Sequence, residues 1–313
     1  MKTVHFAGIL THMEQTLPKM LKKTASDFPE LAGQYSKDST GEFQPVTYRD
    51  MYQLALDFGA ALLELGVKRG EPVGLISDDR KEWQQADMGI MAIGALDVPR
   101  GCDATIIDLK QILSITNCRF VIAENSSQVK KIISIKDDLP DLIHIISFEP
   151  VKDDVMEMVK QSKIEISTYE EMIKSGQKWR IENKNAVEAE LDKGQKDDTC
   201  CIIFTSGTTG TPKGVELTHG NFITQLDELQ ERIYLNPGEK AICVLPVWHV
   251  FERLCEYVIM LQGTAICYSK PIGSILLADF KKLNPVLIPA VPRVFESIYD
   301  GINKKMRKTG GLV

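Results

Sequence analysis

Apolar positions along the chain follow two rhythms, and each change of rhythm marks an element. Between residues 47 and 66, Tyr52, Leu54, Ala55, Phe58, Leu62 and Leu65 fall on one helical stripe. Thr47 is suited to cap that helix, Asp50 follows three residues on, and Gly66 is suited to end it. The run 72–76 is short, apolar and strand-like; a helix over 83–93 and an extended piece over 96–99 follow. The same alternation predicts a helix over 106–116, a strand over 120–123, a helix over 127–135 and a strand over 142–147. The opening of the chain is polar, and no element is assigned to it.

Repeated strand–helix–strand order predicts an α/β fold with a mostly parallel sheet covered by helices. Such sheets bind ligands in crevices beyond the carboxyl ends of their strands. From 152 to 198 the texture becomes charged and helix-favouring, with few large apolar residues. That stretch reads as surface helices and a connecting segment rather than core. A boundary is therefore expected there, with a first α/β subdomain over 1–198 and the start of a second over 199–313. Strand candidates in the second lie at 200–204, 241–245, 264–268 and 285–288. No internal repeat is visible.

With 313 residues, 43% hydrophobic and 26% charged, the chain is long and apolar enough to bury a substantial core. A net charge of −6 gives no electrostatic reason to expect nucleic acid as partner. Lys304, Lys305, Arg307 and Lys308 form a local basic group, read as a solvated helix face, with contact to anionic lipid as the other reading. The 7 cysteines are scattered and form no C-x-x-C pair, which argues against a disulfide framework or a zinc motif and for a reducing compartment. Cys200 and Cys201, inside an apolar run, are expected to be small buried hydrophobes. No apolar stretch is long enough to span a bilayer and no secretory signal opens the chain, so the expectation is a cytoplasmic protein, with peripheral contact at the inner membrane surface left open.

One run concentrates chemistry: Phe204-Thr205-Ser206-Gly207-Thr208-Thr209-Gly210-Thr211-Pro212-Lys213-Gly214-Val215. Glycines let backbone N–H groups approach an anion, hydroxyls add donors, and a lysine supplies mobile positive charge, a composition suited to ATP phosphates. A plain Ser/Thr/Gly turn is the competing reading, disfavoured by the hydroxyl run and the Pro-Lys-Gly ending. The P-loop pattern fails: Pro212 stands where it needs glycine, and Gly214 where it needs the magnesium-binding Ser/Thr. No G-x-G-x-x-G fingerprint is present either.

The run from Thr205 to Val215 resembles the signature loop of the adenylate-forming superfamily, and Thr218-His219-Gly220-Asn221 continues the pattern. Gly94-Ala95-Leu96-Asp97-Val98-Pro99-Arg100-Gly101, Leu245-Pro246-Val247-Trp248-His249-Val250-Phe251-Glu252-Arg253 and Val291-Pro292-Arg293-Val294-Phe295-Glu296 are similar to segments of long-chain fatty acyl-CoA synthetases. The resemblance implies the large N-terminal domain of such enzymes, incomplete here. It further implies a ligase that joins a fatty acid to AMP and then to coenzyme A, using ATP and Mg2+. By the same resemblance Thr205, Ser206, Thr208, Thr209 and Lys213 would handle the phosphates, and Gly207, Gly210 and Gly214 would shape the loop. Lys213 and His249 would be catalytic, His249 as a neutral donor near the carboxylate undergoing activation; a hydrogen-bonded core histidine is the other reading. No metal ligand is assigned. Trp248, Val250, Phe251 and Leu254 would line an acyl channel or pack in the core, and Glu252 and Arg253 would pair with each other or reach polar ligand groups.

Several parts that the resemblance implies are not found: a Tyr-Gly-x-Thr-Glu segment, the later ribose-binding aspartate, the arginine hinge and a C-terminal domain with its lysine. Three expectations follow: a shortened ligase, a non-catalytic nucleotide- or acyl-binding remnant, or half of a split enzyme completed by a C-terminal polypeptide. The ending Thr309-Gly310-Gly311-Leu312-Val313 reads as a helix-ending turn.

Overall fold

The structure is a computed structural model that describes residues 14–205 and 212–308. Its first helix, α1 (Leu17–Asp27), leads into an antiparallel pair, β1 (Ala32–Lys37) and β2 (Phe43–Thr47). Then follow α2 (Tyr48–Glu64), β3 (Pro72–Ile76), α3 (Lys81–Ala92), β4 (Leu96–Arg100), α4 (Ile106–Thr116), β5 (Phe120–Ala123), α5 (Ser126–Ser134) and β6 (His144–Ser147). Next come α6 (Asp153–Ser162), β7 (Glu165–Thr168), α7 (Tyr169–Glu182) and α8 (Ala186–Lys193). The chain continues with β8 (Thr199–Thr205), β9 (Lys213–Thr218), α9 (His219–Gln230), β10 (Lys240–Cys243) and α10 (Val250–Leu261). It closes with β11 (Ala265–Tyr268), α11 (Gly273–Leu283) and α12 (Pro292–Lys308).

Local chemistry explains the boundaries. Thr47 accepts the Asp50 N–H and caps α2, and Gly66 takes the left-handed turn beyond its end with φ 84°. Asn117 at φ 51° ends α4 in the same way. The candidate strand over 285–288 reduces to a single parallel bridge between Leu287 and Ala241.

Two sheets form. The larger has the order β7-β6-β5-β3-β4-β8-β9, parallel except for the β8–β9 pair; the smaller has the order β10-β11-β1-β2, parallel except for β1–β2. The sheets interleave along the chain, so the boundary drawn at 198 does not separate them. β8 takes the free edge of β4, with Cys201 opposite Asp97, while the N-terminal β1 reaches across to β11, with Gln34 opposite Ile266. Buried Gln34 makes that reach tolerable, because its amide bonds Tyr268 and Gln84 and its carbonyl accepts from Gln85.

The segment 152–198 forms helices as expected but corrects the expectation of a charged connecting segment lying outside the core. It contributes the edge strand β7, and Tyr169, Met172, Ile173, Val187 and Leu191 enter the main core beside Phe58, Trp83 and Phe120. The α7 backbone lies so close to α2 that a Cβ on Gly176 would stand 1.7 Å from the Asp57 carbonyl oxygen. A second core joins α1, α2, α9 and α10 through Leu17, Met51, Phe222 and Tyr257, with Cys200 and Cys201 buried in it as small hydrophobes. All 7 cysteines are free. Among the described residues no helix is long and apolar enough to cross a membrane.

Candidate active site

The chemistry-bearing run spans a hairpin. Thr205 at the end of β8 faces Lys213 at the start of β9, and Phe204 faces Gly214, so the loop between them closes on a Thr–Lys pair. A strand–loop–strand arrangement also explains why the strand–loop–helix P-loop pattern does not fit. Both flanking residues are exposed, and Lys213 has no ion-pair or hydrogen-bond partner among the described residues. A Cβ on Gly214 would come within 2.9 Å of the Ile202 side chain and 3.2 Å of the Phe204 ring, which is why glycine fits there. Ser206, Gly207, Thr208, Thr209 and Gly210 lie outside the described residues.

The hairpin leaves the sheet at the carboxyl edge of its parallel strands. β4 ends at Arg100 and runs parallel to β8, so the turn after β4 and the loop after β8 share that edge. The turns after β3, β4 and β5 are tied together there: Asp78 accepts the Cys102 N–H at 3.0 Å, and Glu124 accepts the Asp78 N–H at 2.8 Å and the Ser77 hydroxyl at 3.0 Å. Trp248 docks onto this edge. The Arg100 guanidinium stacks 4.4 Å from the Trp248 ring centre, and a Cβ on Gly101 would fall 2.1 Å from the indole nitrogen. Two segments far apart in sequence, Gly94–Gly101 and Leu245–Arg253, therefore meet.

His249 is the next residue, at the N-cap of α10, and it is exposed rather than buried. Its Nδ1 accepts the Phe251 N–H at 3.3 Å, so in the neutral ring the proton lies on Nε2, which is left free to donate. Val250 and Phe251 are 39% and 44% exposed, an apolar lip beside the imidazole, whereas Leu254 turns inward to the core.

Glu252 and Arg253 do not pair with each other. Arg253 is fully buried and forks onto Asp97 at 2.9 and 2.6 Å and onto Asp87 at 2.5 Å, while its Nε donates to the Tyr257 hydroxyl at 2.7 Å. Tyr257 in turn donates to Asp87 at 2.7 Å. Burial alone would lower the Arg253 pKa, but the two aspartates carry it well above its ordinary value. The fork fixes α10 to α3 and β4, and with them the position of His249 over the sheet edge. Glu252 points the other way and accepts the Val244 and Leu245 N–H groups at 3.1 and 3.3 Å; burial pushes its carboxyl up to about 8.

In the Thr218–Asn221 segment, Thr218 and Asn221 form the capping box of α9, and His219 is buried with its Nδ1 accepting the Leu17 N–H at 3.4 Å. Burial pulls its pKa down to about 4. The Val291–Glu296 segment opens α12, with Val294 in the core and Phe295 53% exposed. Within the basic group Lys304 and Arg307 are exposed. The turn expected over 309–313 lies outside the described residues.

The bracing Asp87 and Asp97 were not singled out from sequence, although a signal was present. Asp87 stands on the apolar side of its helix, with Trp83, Ile90 and Met91 one turn away, and Asp97 lies between Leu96 and Val98. An acid at such a position needs a buried cation. The sheet edge thus carries the exposed Thr205 and Lys213 of the hairpin and, by way of Trp248, the exposed His249 imidazole beside Val250 and Phe251.

The chain matches the family described as AMP-binding enzyme over residues 21–311. It is 33% identical over 264 residues to the long-chain-fatty-acid–[acyl-carrier-protein] ligase AEE15 of Arabidopsis thaliana, covering 83% of this chain and 36% of that protein. It is 29% identical over 305 residues to long chain acyl-CoA synthetase 8 of the same plant, covering 92% and 40%. The N-terminal domain of FACL13 from Mycobacterium tuberculosis superposes with a TM-score of 0.72 at 21% identity, over 91% of this chain and 65% of that one. The A-PCP didomain of carboxylic acid reductase from Segniliparus rugosus gives 0.78 at 18%, over 99% and 46%. At these identities the structural likeness establishes the fold. The chain spans 36% to 40% of the length of these curated relatives.

Proposed function

Because this chain belongs to the AMP-binding enzyme family, we propose that it supplies the phosphate-holding and carboxylate-orienting part of a long-chain acyl-activating ligase. The observation that carries this reading is the pairing of Thr205 with Lys213 across the neck of the Ser/Thr/Gly loop. That neck stands at the sheet edge where Trp248 positions His249.

In this reading a fatty carboxylate attacks the α-phosphorus of ATP, the bond to pyrophosphate breaks, and an acyl-adenylate forms. Lys213 and the loop hydroxyls offset the charge that builds on the phosphate oxygens, and His249 Nε2–H orients the attacking carboxylate. Val250 and Phe251 begin the apolar path for the chain. Magnesium bound to ATP would supply positive charge against the phosphates, and no ligand for it is assigned on this chain. Thioester formation with coenzyme A follows; the 33% identity to a ligase for acyl-carrier-protein favours a carrier thiol as the second reading of the acceptor. The later step draws on parts of the relatives beyond the 36% to 40% of their length that this chain spans, in the same polypeptide or in a complementing one.

The test is fatty-acid-dependent ATP–pyrophosphate exchange by residues 1–313, alone and with the downstream polypeptide of a relative added. Exchange in either arm, lowered about a hundredfold by His249→Ala, supports the reading. Folded protein silent in both arms, or exchange indifferent to His249→Ala, overturns it.

A further inference from the structure

Behind the turn that carries His249 lies a group of carboxyls that the proposed chemistry does not use. Glu252 and Glu256 sit one turn apart on one face of α10, and Cys243 ends β10 opposite them. One ligand atom from each of the three lies within 4.8 Å of the others, and all three residues are buried. Asp79, from the loop after β3, comes within hydrogen-bonding range of Glu256.

Their oxygens are unmatched. Both oxygens of Glu256 and of Asp79, and Oε2 of Glu252, are sealed from solvent, and as ionised carboxylates they meet no donor among the described residues. Glu256 itself is 1% exposed. The nearby cation cannot serve, because Arg253 is spent on Asp87, Asp97 and Tyr257. Ionised carboxylates left this way in an apolar interior are costly, and bound protons or a cation between them must offset the charge. Glu252 is held in place for it: Oε1 accepts two backbone N–H groups, which leaves Oε2 as the buried oxygen without a donor.

The geometry points to a structural divalent-cation site formed by Cys243, Glu252, Glu256 and Asp79, with zinc the best fit to one thiolate and three carboxylate oxygens. Zinc with these four ligands carries the same net charge as a zinc site of four cysteines. In a tetrahedral zinc site neighbouring ligand atoms stand roughly 3.5 Å apart, so Cys243, Glu252 and Glu256, within 4.8 Å of one another, would draw together on binding, with Asp79 joining from its place beside Glu256. The ligands come from the loop after β3, the end of β10 and the first turns of α10. The cation would therefore pin both ends of the turn bearing Trp248 and His249. No sequence motif announces the site, because no two ligands share a metal-binding spacing beyond Glu252 and Glu256 at i and i+4. This inference stands apart from the adenylation reading.

The experiment uses untagged 1–313. Its metal content is read by mass spectrometry, the metal is removed with chelator, and Co2+ and then Zn2+ are titrated back while circular dichroism follows the fold. About one equivalent of zinc, and a cobalt spectrum with a thiolate-to-metal charge-transfer band, are expected. Cys243→Ser should remove that band, and Glu256→Gln should weaken zinc binding at least about tenfold. Folded wild-type chain that neither retains nor rebinds either metal overturns the site, and infrared bands of protonated carboxyls would then name what neutralises it. A cobalt spectrum lacking the thiolate band also overturns it.

Discussion

A fully buried guanidinium bound to two aspartates and a tyrosine decides how firmly the candidate site is held. Removing Arg253 leaves Asp87 and Asp97 buried with no counter-charge. Arg253→Met is therefore expected to lower unfolding free energy by about 3–5 kcal/mol in urea denaturation at pH 7; a loss below about 1 kcal/mol would show that the fork is dispensable. At this scale the sequence was half legible. Two acids on apolar surfaces announce a buried partner, but only the fold shows that the partner is Arg253 rather than a ligand. His249 resolved in the other direction: its aromatic neighbours suggested a core residue, yet the capping bond to Phe251 turns the ring outward.

At the scale of elements, the short strands over 72–76 and 120–123 matched residue for residue, since an apolar run between turn signals has few alternatives. β1 and β2 escaped because their partners are at the other end of the chain and their buried positions include glutamine rather than an apolar stripe. The buried face of α7 escaped for a different reason. Tyr169, Met172, Ile173 and Gly176 form a clean i, i+3, i+4, i+7 stripe, which averaging over a charged window conceals. α9 carries the pH prediction. His219 in its first turn has a folded pKa of about 4 against an ordinary 6.5, so folding favours the neutral ring. The unfolded chain then binds the extra proton, and stability present above pH 6.5 is lost as pH falls toward 4. Between pH 7 and 5 this should cost about 2 kcal/mol. Urea denaturation at the two pH values, for wild type and His219→Gln, checks it: the variant should lose that much less, and equal losses would contradict the assignment.

For the whole molecule, α/β architecture and family were legible from local rhythm and one loop, whereas the interleaving of the two sheets was not, because strand order across a sheet leaves no trace in periodicity. Interleaving has a consequence for function. The phosphate-loop hairpin belongs to the large sheet and α10 follows a strand of the small one, so the candidate site depends on both sheets holding one arrangement, through Arg253 and the Trp248–Gly101 contact. The central claim is that the Thr205–Lys213 neck closes on the phosphates of ATP. Calorimetric titration of MgATP into 1–313 and into Lys213→Ala tests it most directly. Saturable binding at one site is expected, weakened at least about tenfold in the variant with its melting temperature unchanged, since the Lys213 side chain is exposed and has no ion-pair or hydrogen-bond partner among the described residues. Equal affinity in the two proteins, or no binding by a folded wild-type chain, would contradict it.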